Sequence, residues 1–95
     1  MADATDQLLA ERGKTHGDYS VHAKITQTIK SVMRASPNWD KLTPVQKETL
    51  EMNAHKVGRV LSGDPDHIDH WDDIAGYAKL VSNRLRSNTD SPQTH

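Results

Sequence analysis

The sequence predicts an all-α fold, a small bundle of about four helices within a single domain spanning residues 1–95. Apolar residues recur at helical spacing in three long segments, and no segment alternates apolar and polar residues as a strand does. Glycine and proline fall between these segments. Because only 34% of the residues are hydrophobic, we expect oligomerisation to complete the bundle, as a homodimer or homotetramer.

The first helix is predicted over residues 6–12, with Gly13 at its end. The segment ERGKTHGDYS combines two glycines with polar residues, which is typical of an ordered loop able to close over a ligand. Its candidate substrate-binding residues are Lys14, His16, Asp18 and Tyr19. The polar ends of the chain, residues 1–5 and 87–95, are expected to be flexible.

The second and third helices have clear start signals. Asp18 is a candidate N-cap for a helix that runs to about residue 35. Thr43, Pro44 and Gln46 offer a capping box with proline at the first helical position. The apolar stripes are Val21, Ile25, Ile29, Val32 and Met33 on the second helix, and Leu50, Ala54, Val57 and Leu61 on the third.

Gly63 and Pro65 end the third helix, and Asp66 is the candidate cap of a fourth, which runs to about residue 85. The apolar stripe of this helix consists of Trp71, Ile74, Ala78, Val81 and Leu85. The short break from Ser62 to Asp66 allows helices three and four to form an antiparallel hairpin.

Two clusters of acids lie on these last two helices: Glu48 and Glu51, then Asp69, Asp72 and Asp73. Within each cluster the spacing places carboxylates on a common helix face, away from the apolar stripe. Converging carboxylates raise one another's pKa, and a hard divalent cation removes that cost. The sequence therefore predicts a Mg²⁺ site, with Mn²⁺ as a substitute. The alternative is that these acids are solvated side chains near helix starts.

Other polar residues are candidates for binding a substrate. Lys56 and Arg59, one turn beyond the first acids, can hold phosphate oxygens or simply be solvated cations. Tyr19 and Trp39 can stack on a base or pack internally. His67-x-x-His70 raises the possibility of zinc, although a zinc site needs three or four ligands.

Composition excludes several classes of function. The chain has no cysteine, so disulfides and thiolate zinc sites are absent. A net charge of -1, with 12 basic and 13 acidic residues spread along the chain, argues against partnership with nucleic acid or a membrane. No apolar run approaches the roughly 20 residues of a membrane span, and no signal-peptide core precedes the first helix, so we expect a cytoplasmic protein. A Walker-type phosphate loop and a nucleophile elbow are also missing.

The arrangement Glu48-x-x-Glu51, 17 residues, Asp69-x-x-Asp72 resembles the Glu-x-x-Glu…Glu-x-x-Asp signature of the MazG-like all-α nucleoside triphosphate pyrophosphohydrolases. The run DIAGYA beginning at Asp73, together with RGKTHGDY and HKVGR, is similar to segments of the compact phage members. The resemblance covers residues 7–86 and extends to the phage subgroup called MazZ, which acts on dGTP.

The resemblance implies Mg²⁺-dependent conversion of an NTP or dNTP to the monophosphate and pyrophosphate by a helical dimer or tetramer, in the host cytoplasm if the chain is phage-encoded. Glu48 and Glu51 match the first acid pair and are the catalytic candidates. The second pair departs from the signature, because Asp69 replaces Glu and either Asp72 or Asp73 can be its second member. The alternatives are a non-catalytic helical interaction module and a nucleotide-binding sensor.

Overall fold

The computed structural model describes residues 4–90, without the side chains of residues 12–16, 89 and 90. Its helices are α1 (Ala4–His16), α2 (Tyr19–Arg34), α3 (Pro44–Ser62) and α4 (Ile68–Asp90), with a 3-10 turn at Trp39–Lys41. The described residues contain no strand, so the predicted all-α fold is confirmed. Over this range, no helix combines the length and apolar character needed to cross a bilayer.

Two predicted helix starts are confirmed by their hydrogen bonds. The Asp18 carboxylate accepts the backbone N–H of Ser20 at 2.8 Å and so caps α2. At the start of α3, the Gln46 backbone N–H donates to the Thr43 hydroxyl at 3.1 Å, and the Thr43 backbone N–H donates to the Gln46 side-chain oxygen at 2.9 Å. This reciprocal capping box satisfies donors that a helix leaves without partners.

The prediction of a loop after the first helix is wrong. α1 continues through Gly13 to His16, and α2 begins at Tyr19, so only Gly17 and Asp18 separate the two helices. One glycine inside a helix costs about 1 kcal/mol of stability relative to alanine, so Gly13 does not have to end α1. Gly17 makes the turn with φ at +81°, and a Cβ atom there would overlap the carbonyl of Ser62.

The start of α4 also differs from the prediction. The helix begins at Ile68, two residues after the expected cap Asp66. Asp66 instead donates its backbone N–H to the Asp64 carboxylate at 2.9 Å, which forms a turn ahead of the helix. The Trp71 indole N–H donates to the Pro65 carbonyl at 2.7 Å and closes this turn.

The long helices form a layer with α3 in the middle. α3 packs extensively against both α2 and α4, whereas α2 and α4 make no comparable contact with each other, and α1 lies against α2 and α3. The extents are 64 × 27 × 23 Å and the radius of gyration is 17.1 Å. A compact domain of this length has a radius of gyration of about 12 Å. The small bundle is therefore open and elongated.

Of the residues in the predicted apolar stripes, only Ala54 is buried in the described part of the chain. Besides Gly58, the buried residues among those described are Ala54, His22, Thr26, Thr49, Lys56 and His70. By contrast, Leu50 and Val57 are exposed, and Leu61 is 64% exposed. Because α3 uses two opposite sides to contact α2 and α4, its apolar stripe faces out of the layer.

The close approach of α2 and α3 generates the first prediction. A Cβ atom on Gly58 would collide with the Thr26 hydroxyl and lie 2.8 Å from His22 Nδ1, whereas one on Gly76 would meet no atom within 4 Å. We expect Gly58→Ala to lower the free energy of unfolding by about 1–3 kcal/mol through overpacking. Gly76→Ala, the matched control, should raise it by up to about 1 kcal/mol. Urea unfolding followed by circular dichroism at equal protein concentrations measures both. A Gly58→Ala protein as stable as the wild type would contradict this packing.

Candidate functional site on the polar face

The helix layer has two faces of opposite character. We call one the apolar face, and it carries the exposed side chains Val21, Val32, Leu50, Val57, Leu61, Trp71 and Leu85. The other, the polar face, carries Lys30, Arg34, Glu51, His55, Lys56, Arg59 and Asp73. Helical periodicity separates the two sets, because residues 50, 57 and 61 project from the side of α3 opposite to residues 55 and 59.

Two of the predicted metal-binding acids on the polar face, Glu51 and Asp73, are each paired with a basic side chain from a neighbouring helix. Glu51 on α3 is paired with Arg34 on α2, with 2.5 Å between Oε1 and Nη2. Asp73 on α4 is paired with the buried Lys56 on α3, with 2.8 Å between Oδ2 and Nζ. The hydrogen bond from Lys56 and its charge hold the pKa of Asp73 below the usual value for aspartic acid.

The remaining acids are not paired with lysine or arginine in the described part of the chain, although Glu48 projects from the same side of α3 as His55 and Arg59. Glu48 and Asp72 are exposed and pair with no basic group among the described residues. The carboxylate of Asp69 lies 3.6 Å from His67 Nε2 at the start of α4. Among the side chains that the structure describes, no three His, Asp or Glu residues are grouped to hold a metal ion. Carboxylate oxygens are the donors that Mg²⁺ takes, but this arrangement does not bring the predicted set together.

The residues expected in a ligand-binding loop have other positions. Tyr19 is the first residue of α2 and is 81% exposed. Asp18 is engaged as the cap of α2, where hydrogen bonds from Ser20 lower its pKa from the usual value. The side chains of Lys14 and His16 lie outside the described part of the chain. Trp39 packs beside Lys47, whose ammonium lies 5.7 Å from the ring centroid.

Among the described residues, no third ligand completes a zinc site at His67 and His70. The rings of His67 and His70 lie 4.7 Å apart, edge to face, at the start of α4. His70 is buried, and among the described residues no further His, Asp or Glu joins the pair to form a metal-binding group. Two ligands do not make a protein zinc site.

A row of polar residues on α2 forms a part of the site that the sequence prediction missed: His22, Thr26, Lys30 and Arg34. They are spaced at i, i+4, so they form one ridge of the helix. Lys30 Nζ lies 3.0 Å from His55 Nε2, and the His22 and His55 rings stack with centroids 5.7 Å apart. The signal was the repeat of polar residues at every fourth position, on a side of α2 next to its apolar stripe.

Burial favours the neutral form of both stacked histidines. It lowers the pKa of His22 and of His55, and the charges of Arg59 and Lys30 lower these pKa values further. In the unfolded chain histidine titrates near pH 6.5, so below that pH the unfolded chain binds more protons than the folded one. The depressed pKa values therefore cost stability as the pH falls.

We accordingly expect the free energy of unfolding to be level above about pH 6.5 and to decrease toward pH 5. The slope should reach at most about 1.4 kcal/mol per pH unit for each histidine. Urea unfolding between pH 5 and 8 measures it, with His55→Gln expected to flatten the slope and His67→Gln serving as the control. Stability that increases from pH 7 to pH 5 would rule out this role.

Comparison with known proteins places the chain in a family. No curated protein and no solved structure gave a match. The model of a family described as Domain of unknown function (DUF6378) matches residues 1–85. The match includes α1, α2 and α3, most of α4 and every residue of the polar face. Because it covers far more than half of the 95 residues, the chain belongs to the DUF6378 family.

Proposed function

We propose that the protein is a Mg²⁺-dependent nucleoside triphosphate pyrophosphohydrolase, with dGTP or GTP as the first candidate substrate. The observation that carries the proposal is the polar face, where acids and bases from α2, α3 and α4 lie together on one open side of the layer. Hydrolysis of a triphosphate needs acids to hold a metal ion and to accept a proton, and cations to balance phosphate charge. The resemblance to the MazG-like enzymes supports the same reaction.

The carboxylates have the chemistry for this role. In the proposal, Glu48, Glu51, Asp69 and Asp73 would hold the ion once their side chains converge on it, with Asp72 as the alternative partner in the second pair. Bound Mg²⁺ supplies charge neutralisation and lowers the pKa of a coordinated water. Glu48 or Glu51 accepts the proton of the attacking water.

The two ion pairs have a place in the proposal. Arg34 and Lys56 neutralise Glu51 and Asp73 when no metal ion is bound, which prevents the acids from repelling one another. With Mg²⁺ bound, Asp73 would hold the ion, and Lys56 would be free to join Arg59 in balancing the negative charge of the leaving pyrophosphate.

Glu51→Gln tests the acid assignment. The variant keeps the size of the side chain but removes its charge, so we expect pyrophosphate release to fall at least about a hundredfold. The fold should persist, because Arg34 is 53% exposed and an exposed ion pair contributes at most about 1 kcal/mol. Glu11→Gln, on the exposed surface of α1, is the matched control. Full activity of Glu51→Gln at saturating Mg²⁺ would refute the assignment.

The bond that is broken can be read from the products. We expect dGTP to yield dGMP and pyrophosphate, because the proposed attack is at the α-phosphorus. Chromatography of a dGTP digest, with dATP digested in parallel, distinguishes the possibilities. Formation of dGDP and free phosphate would contradict attack at the α-phosphorus. Equal rates for dGTP and dATP would contradict the guanine preference.

A homo-oligomer is part of the proposal. The layer is open, and its apolar face exposes large side chains on three helices, including Leu61 and Trp71. An apolar surface of this kind favours association, and a C₂ dimer, alone or paired into a tetramer, covers it with the same surface of a second copy. The same face is the observation that favours the second candidate function, a non-catalytic helical interaction module. A nucleotide sensor would bind the triphosphate without releasing pyrophosphate.

Leu61→Glu tests the association. Because Leu61 is 64% exposed in the single chain, the charge should spare the helix layer and disrupt the contact between copies. Light scattering should show a smaller species than the wild type, while Lys24→Glu, on the exposed side of α2, should not change the mass. A folded wild-type monomer at micromolar concentration would remove the oligomer from the proposal.

A further inference from the structure

The seam between α2 and α3 on the polar face contains two cations, Lys30 and Arg59, that form no direct ion pair with a described carboxylate, although the charge of Arg59 acts on Asp73. Lys30 and Arg59 are both half-buried. Neither takes part in an ion pair with any described residue, whereas Arg34 and Lys56 each have an acidic partner. A half-buried charge is less well solvated than an exposed one, so two such cations favour binding of an anion.

His55 adds a hydrogen-bond donor to the seam. An ammonium group has no acceptor, so the contact of 3.0 Å requires His55 Nε2 to accept from Lys30. The proton of the neutral ring is then on Nδ1, which is a donor. His22, stacked on this ring, is 6% exposed, and its Nδ1 faces Gly58, so His22 supports the His55 ring from within the helix contact.

The chemistry of these groups selects the class of anion. Arg59 offers a planar set of N–H donors that matches two oxygens of one group, and Lys30 offers a compact charge. Arg59 follows His55 by one helical turn, so the two side chains project from the same side of α3. A phosphoryl group provides several oxygens and more than one negative charge, whereas a carboxylate provides two oxygens and one charge.

We propose that Lys30, His55 and Arg59 form an oxyanion subsite for phosphoryl groups at the α2–α3 seam, with His22 as the residue that positions the His55 ring. The identification of the ligand in the cell as the pyrophosphate portion of a nucleoside triphosphate rests on the proposed function. The subsite itself is defined by the seam and binds inorganic pyrophosphate without a nucleotide or metal ion.

Isothermal titration of the full chain with inorganic pyrophosphate, in a chelator and at constant ionic strength, tests the subsite. We expect saturable binding by the wild type and a loss of at least about tenfold in affinity for Lys30→Gln. Lys30→Arg should retain most of the affinity because it keeps the charge. Lys24→Gln, an exposed lysine on the same helix, should stay within about twofold of the wild type.

Nuclear magnetic resonance gives a second readout that a loss of folding would not imitate. The ring signals of His22 and His55 should shift on addition of pyrophosphate to the wild type, and those of His67 should not. Arg59→Gln provides a second weakening variant in case Lys30→Gln does not fold. Absence of saturable binding by the wild type, or equal losses in Lys24→Gln and Lys30→Gln, would overturn the subsite.

The outcome separates this inference from the proposed hydrolase. Binding of pyrophosphate without any nucleotide hydrolysis would support the subsite and remove the enzymatic function. Nucleotide hydrolysis combined with unchanged pyrophosphate affinity in Lys30→Gln would support the enzyme and remove the subsite.

Discussion

The close approach of α2 to α3 is the constraint on which the rest of the structure depends. It is possible because Gly58 has no side chain at the point where His22 and Thr26 press against α3. Rows of residues spaced by four on each helix then meet along the seam, which pairs Arg34 with Glu51 and Lys30 with His55. A wider separation would break both pairs, so the electrostatics of the polar face follow from one helix contact.

The central position of α3 explains why the interior is polar. A helix at the edge of a bundle buries one apolar stripe, but α3 is covered on two opposite sides and exposed on the other two. Its covered sides carry small and polar residues such as Thr49, Ala54 and Lys56. The buried Lys56 is tolerated because Asp73 supplies the opposite charge at 2.8 Å.

The sequence predicts what local interactions decide and misses what depends on tertiary register. The capping box at Thr43 and the cap at Asp18 involve residues two or three apart, so the order of residues is sufficient to find them. The pairing of Arg34 with Glu51 spans 17 positions and depends on how two helices align. The predicted Mg²⁺ site depends on acids from two helices coming together, which their spacing in the sequence cannot establish. The apolar stripe of α3 was found from the sequence, but the sequence did not show that this side of the helix faces outward.

The turn at Gly17 affects how sequences of this family are interpreted. Its φ of +81° and the overlap that any Cβ would make with the Ser62 carbonyl exclude other residues, whatever the chain binds or catalyses. If relatives keep a glycine at this position, its conservation reflects the close approach of the Gly17 and Ser62 backbones. Glycine within RGKTHGDY is then weak support for shared chemistry, and an assignment of activity by homology must depend on the charged residues instead.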